Sequence, residues 1–169
     1  MRLWRVSIHS SIDGEGGLFV AGRWHSRGHR VTYCSLHPAT ALLEWIAHLE
    51  LDIDALPSAI PYTVVEASTN VSTEQTRELP ENWRQDVTAT RAIGDEWLSS
   101  VRTAILLVPS AIVPEAQNVL LNPAHREFES IRVVERRAEP FDLRPNQAEL
   151  ELPQIIRRSQ PGAGRRASF

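Results

Sequence analysis

Lysine is absent. All eighteen basic residues of the 169-residue chain are arginine. That excludes lysine chemistry: no Schiff base can form on a lysine, and there is no phosphate-loop lysine. There is one cysteine, Cys34, which excludes an internal disulfide framework and any multi-cysteine zinc site. No run of about 18 apolar residues occurs, so no hydrophobic helix is expected to span a bilayer. The start, Met1-Arg2-Leu3-Trp4-Arg5, turns polar too soon for a secretion signal, and a cytoplasmic protein is expected. Positive charge is not in excess either. The formal net charge of −3 argues against direct nucleic-acid binding, which needs a basic face.

What is present is ordinary globular material, 42% hydrophobic and 23% charged, in a length that suits one domain with a sizeable core. Arginine is the better fork for phosphate and carboxylate, although coding bias in a GC-rich genome accounts for the missing lysine more simply. Arg157, Arg158, Arg165 and Arg166 gather among Gly and Pro. Residues 146–169 are therefore expected to form a flexible Arg/Gly/Pro-containing tail behind a single domain over 1–145.

No internal repeat is visible. Leu3 to Ile8 alternates weakly and reads as a strand, residues 10–22 as a Gly-rich loop, and Val31 to Cys34 as a short strand. Pro38 suits the first position of a helix capped by Ser35 or His37. Ala39, Leu42, Leu43 and Ile46 give that helix an apolar stripe. Ile60 to Glu66 reads as a strand, with Pro61 pointing to an edge or a strand start. Residues 68–86 are polar. A helix is expected over about 88–100, weakened by Gly94. Ala104 to Val108 reads as a buried strand, with further strands at 118–121, 131–136 and 140–143. Strands and helices follow no regular βαβ beat, so an α+β fold is expected.

The densest polar stretch runs from Gly22 to His37, with histidines at 25, 29 and 37. Histidine is a common metal ligand. Here, however, 25 and 29 lie in a glycine-containing loop and share no helix face, so loop histidines are expected and no metal site. Cys34, in a predicted strand, is expected to be a buried structural thiol. A G-x-S-x-G elbow is lacking, which removes the main support for a serine hydrolase. Glu44 stands inside an apolar helix, on the flank shared with Thr40 and His48. It is either a solvated carboxylate or one held at the rim of a cleft. Ser110 ends the buried strand at 104–108, with Asn118 and Asn122 to follow. It either caps its own turn or binds phosphate or ribose hydroxyls. Pattern alone leaves these alternatives open.

Together the segments resemble the RES domain family, named for its Arg, Glu and Ser. The likeness runs in order over residues 1–145: Leu3-Trp4-Arg5-Val6, Gly22-Arg23-Trp24, Val31-Thr32-Tyr33-Cys34-Ser35, Ala39-Thr40-Ala41-Leu42-Leu43-Glu44, Gly94-Asp95-Glu96-Trp97-Leu98, Val108-Pro109-Ser110, and the stretch from Asn118 to His125. The resemblance implies a single α+β domain of the ADP-ribosyltransferase type, with mixed and antiparallel sheet flanked by helices. It implies a toxin of a bacterial toxin–antitoxin pair that depletes NAD by cutting the nicotinamide–ribose bond, with water or phosphate as acceptor. NAD would be substrate, with no cofactor. The implied partner is an Xre-type helix-turn-helix antitoxin that blocks the active site and represses the operon. Toxin and antitoxin would form a hetero-oligomer, with DNA touched only through the antitoxin and no membrane involved. By the same likeness Arg23, Tyr33 and Glu44 are catalytic, and Arg5, Trp24, Ser110 and Asn118 bind NAD. Many members carry Asn after the Arg-Trp pair, where this chain has His25.

Those residue types suit the implied chemistry. Breaking an N-glycosidic bond builds positive charge on the ribose, which the Glu44 carboxylate would stabilise while holding the 2′-hydroxyl. Nicotinamide leaves as a neutral group, so no strong general acid is needed. Tyr33 would stack on the nicotinamide ring and fix a strained conformer. Arg23 would grip the pyrophosphate or ribose with a bidentate fork, and Ser110 would bond a phosphate oxygen. Two other readings stand beside this one: an ADP-ribosyltransferase that modifies a macromolecule, and a non-catalytic binding module.

Overall fold

In the computed structural model, which describes residues 1–9, 11–48 and 58–140, seven strands build one sheet. They are β1 (Arg2–Val6), β2 (Thr32–Ser35), β3 (Ala59–Ala67), β4 (Thr73–Gln75), β5 (Ile105–Pro109), β6 (Gln117–Leu121) and β7 (Ile131–Pro140). Their spatial order is β4-β5-β6-β2-β1-β3-β7. The β4–β5 pair is parallel and every other pair antiparallel. With helices α1 (Pro38–His48) and α2 (Val87–Ser100), this is the expected mixed α+β domain.

Side-chain alternation explains why β5 and β6 are almost wholly apolar. Ile105, Leu121, Val119 and Cys34 point into one core layer, with Leu3, Val65 and Ile131. Leu106, Leu120 and Val108 point the other way, against Trp24, Trp83, Trp97 and Leu98. A strand covered on both faces has no polar side to show, so its sequence reads as a continuous run.

Helix α2 supplies the second layer. Asp86 caps it by accepting from the Ala89 N–H at 2.9 Å, which satisfies one of the otherwise unpaired first-turn donors. Its inner face grips the segment before β2. Thr90 Oγ1 donates to the Arg23 carbonyl at 2.7 Å, Arg91 Nε to the Gly22 carbonyl at 2.8 Å, and Asp95 accepts from the Ser26 N–H at 2.7 Å. Gly94 lies between these contacts. A Cβ there would overlap the Trp24 carbonyl, so the glycine that lowers helix propensity is what lets α2 approach the loop.

Several expectations need correction. Helix α1 begins at Pro38 as expected, with His37 Nδ1 accepting from the Ala39 N–H. Its buried residues, however, are Thr40 and Ala41, and Leu43 is 45% exposed. The helix therefore turns its predicted flank inward. Strand β3 lies between β1 and β7, so Pro61 marks a strand start and not an edge. Short β4 lies within the polar segment 68–86, for which no strand is expected, and β7 continues unbroken to Pro140. The rest of the 140–143 strand and the tail expected at 146–169 lie outside the described residues.

Replacing Gly94 by alanine tests the close approach. Helix propensity alone would favour alanine by about 1 kcal/mol. The overlap with Trp24 should reverse the sign and cost roughly 2–3 kcal/mol in urea melts. An unchanged or raised midpoint would show that the loop moves aside freely.

Candidate active site

Strands β1 and β2 are paired only at Trp4 and Ser35. Beyond that point they part, and a cavity of about 840 Å3 opens there. Its walls come from Arg5, Val6 and Ser7 on β1 and just after it, and from Tyr33, Cys34 and Ser35 on β2. The Gly-rich loop 14–22 and helix α1 complete it. Arg5 bridges the gap: Nη1 donates to the Tyr33 carbonyl at 3.4 Å and Nη2 to Ser7 Oγ at 3.1 Å. Among the described residues its Nε is buried without a partner, and burial pushes the guanidinium below its ordinary pKa.

Glu44 is the best-defined group in the cleft. Its Oε1 accepts from Ser110 Oγ and from Asn118 Nδ2, both at 2.6 Å. Asn118 is fixed in turn, because Ser35 Oγ donates to its Oδ1 at 2.6 Å. Both strand residues are buried, and the register sets Ser35 opposite Asn118, so the network sits on one face of the sheet. Among the described residues nothing bonds Oε2 of Glu44, which lines the cavity. One carboxylate oxygen is held by two donors, and the other has none among the described residues.

Tyr33 is anchored from behind. Its hydroxyl accepts from the Trp24 N–H at 3.1 Å and lies 2.8 Å from His25 Nδ1. Burial drives the phenol well above its ordinary pKa and holds the His25 imidazole below its own. Burial also pushes the Cys34 thiol up to about 12, against the pull of Arg5; Cys34 is an inert core thiol, as expected.

The structure thus brings Arg5, Arg23, Tyr33, Glu44 and Asn118 to one cavity. Arg23 lies at the α2 side, where its Nη1 donates to the Arg84 carbonyl at 2.9 Å. Two assignments shift. Ser110 is 1% exposed; its hydroxyl donates to Glu44 and accepts from the Ile112 and Val113 N–H groups. With that capacity used, it positions Glu44 and has nothing left for a phosphate. Trp24 borders the cavity, but it is 2% exposed and its ring packs on Trp83 at 5.9 Å, so the ring is part of the core. Sequence reasoning missed Ser35 and the role of His25. Ser35 had a signal, since it stands two residues from Tyr33 and so on the same strand face. Among the described residues no three His, Cys, Asp or Glu side chains gather as a metal site.

Comparison with known proteins now bears on this geometry. The RES domain family model matches residues 2–144. The chain belongs to the RES domain family. Toxin Res of Pseudomonas putida is 37% identical over 133 residues, covering 79% of this chain and 92% of that protein. Toxin Res of Yersinia enterocolitica is 34% identical, covering 77% and 89%. The Prs ADP-ribosylating toxin of a Sphingobium species is 33% identical, covering 83% and 94%. In fold, this RES domain is similar to a chain of the M. tuberculosis MbcT–MbcA toxin–antitoxin complex. The TM-score is 0.61 at 12% identity, over 82% of this chain and 84% of that one. The class of the protein is that of the RES toxins. Among the described residues no helix is long and apolar enough to cross a membrane.

Ser110→Ala isolates the positioning contact. It removes one donor to Glu44 and strands two backbone N–H groups, so a loss of about 1–3 kcal/mol is expected on chemical denaturation. A loss under about 0.5 kcal/mol, the range of ordinary surface changes, would mean that Glu44 is held by Asn118 alone.

Proposed function

We propose that this protein is a toxin enzyme that depletes NAD by cleaving the nicotinamide–ribose bond, with water or phosphate as acceptor. Glu44 carries the reading: a carboxylate with one oxygen clamped by Ser110 and Asn118 and the other turned to a cleft. The cleft falls within the ~300–1,000 Å3 range of small-molecule sites. A fixed negative charge at that place stabilises the cation that develops on the ribose, and it needs no reorganisation as the bond breaks. Asn118 and Ser110 hold the carboxylate, the Tyr33 ring offers a face for nicotinamide, and Arg5 and Arg23 supply forks for the pyrophosphate. The partner is an Xre-type antitoxin. The complex in which the M. tuberculosis fold neighbour was solved supports a toxin–antitoxin pairing.

A second reading has its own support. The Sphingobium relative is named as an ADP-ribosylating toxin that acts on Prs, and the same cleft could pass ADP-ribose to a protein. NAD loss with free nicotinamide is common to both readings. A mass increase on a target protein belongs only to the second.

The deciding measurement is NAD consumption by the purified, antitoxin-free protein, with and without phosphate, products resolved by mass. Glu44→Gln retains acceptors for Ser110 and Asn118. It should fold as the parent does and lose at least about 100-fold in turnover, the scale for a transition-state electrostatic group. Full activity in that variant would remove Glu44 from the mechanism. Arg23→Ala should raise KM for NAD, whereas Tyr33→Ala should lower kcat. The reverse pattern would exchange their roles.

A further inference from the structure

His25 is almost fully buried and closes a hydrogen-bond ring behind the cleft. Its Nε2 lies 3.0 Å from the Val20 carbonyl. A carbonyl only accepts, so Nε2 carries the proton and Nδ1 is bare. Bare Nδ1 then accepts from the Tyr33 hydroxyl at 2.8 Å, and the Gly22 N–H, which donates to the His25 carbonyl at 3.0 Å, adds a second arm to Nδ1 at 3.2 Å. The Tyr33 oxygen takes its own donor from the Trp24 N–H. There is no slack: a Cβ on Gly22 would come within 2.7 Å of both the Tyr33 hydroxyl and His25 Cε1. One ring therefore joins Tyr33 to the end of the Gly-rich loop, where Phe19 and Val20 stand 64% and 70% exposed at the cleft mouth.

We propose that neutral His25 is a positioning residue that locks the Tyr33 ring and the Val20 end of the loop to each other, and so sets the cleft wall against which the substrate's nicotinamide is placed. The assignment of nicotinamide rests on the function proposed above; the lock itself does not. Protonation inverts the Tyr33 bond: Nδ1–H then donates to the Tyr33 oxygen, whose own proton must find another acceptor, while Nε2 keeps the Val20 carbonyl and the Gly22 N–H keeps the His25 carbonyl. The groups facing the imidazole are Asp95 and Arg91 from α2, His29 from its own loop and Tyr33 from β2. Burial outweighs Asp95 and keeps the imidazole neutral below its ordinary value of 6.5. The lock therefore holds in this form at neutral pH, and the Tyr33 hydroxyl loses its acceptor and must reorient as pH falls below that value.

Two substitutions separate the two bonds. Asparagine places an oxygen where Nδ1 stands, so His25→Asn keeps the bond to Tyr33, gives up the bond to Val20 and does not titrate. Glutamine reaches farther, so His25→Gln keeps the bond to Val20 and gives up the bond to Tyr33. NAD turnover is measured from pH 5 to 8. His25→Asn should keep kcat within about threefold at pH 7.5 and lose the acid limb of the parent profile. His25→Gln should lower kcat about tenfold or more with a smaller change in KM, as expected of a misplaced ring. Two variants matching the parent in kcat and pH profile would overturn the proposal. So would two variants that behave alike at every pH, since a merely structural histidine predicts that. Imidazole 15N spectra of the parent test the lock without turnover. At pH 7 they should show His25 protonated at Nε2 and bare at Nδ1, with Nδ1 shifting in Tyr33→Phe. The opposite tautomer refutes the lock. The expected tautomer in a protein that spares NAD would leave the lock standing and refute the proposed reaction.

Discussion

Glu44 is tied to the sheet by two short hydrogen bonds on a single oxygen, and the cleft depends on that tie. The donors come from adjacent strands: Ser110 just after β5 and Asn118 at the start of β6. The bonds therefore fix where α1 lies on the sheet as well as where the carboxylate points. Hydrogen bonds to a charged acceptor contribute roughly 1.5–3 kcal/mol each. That can outweigh the apolar burial α1 forgoes by leaving Leu43 in solvent. The polar tie decides the helix's rotation, and the hydrophobic stripe does not.

This is why α1 was the element whose facing the sequence misplaced. Periodicity correctly showed a helix starting at Pro38. It assumed that the most apolar stripe would be buried, and that rule holds only where an apolar core lies beneath. Under α1 lies a cleft. Thr40 and Ala41 are buried against the sheet, and Ala41, Glu44, Trp45, Ala47 and His48 line the cleft, so polar and apolar positions share the inward side. Strands β5 and β6 were legible because both their faces meet apolar layers. The length and internal position of β3 and β7 were not, since strand order depends on contacts between distant segments. Short β4 carries too few residues to show a period.

The candidate site was legible in its types and less so in its roles. Glu44 stood out as a charge in an apolar helix, and Arg23 and Tyr33 came with the family likeness. Ser110 was visible too, but its task depended on which polar group it would meet. In the folded chain it meets Glu44 and two backbone N–H groups, which makes it a support for the carboxylate. Trp24 came with the family likeness as an NAD-binding residue; its neighbours Trp83 and Trp97 place its ring in the core, and its backbone N–H supports the site through Tyr33.

The supports share a feature with Gly94. Each breaks a local rule, whether a glycine inside a helix or Ser35, Asn118 and Ser110 within a buried sheet. Each also loses its oddity once its partner is named. Buried polar side chains are tolerated only when their hydrogen-bonding groups are satisfied, and here the chain Ser35–Asn118–Glu44–Ser110 satisfies them in sequence. Among the described residues two groups stay outside this accounting: Oε2 of Glu44, on a residue that lines the cleft, and Nε of Arg5, which is buried from solvent. The first is an acceptor with no donor, set where a ligand can reach it; the second is sealed, so Arg5 meets the cleft through Nη1 and Nη2, which already hold Tyr33 and Ser7. An open acceptor suits a ligand that brings a hydroxyl, and under the function proposed above the ribose 2′-hydroxyl is that donor.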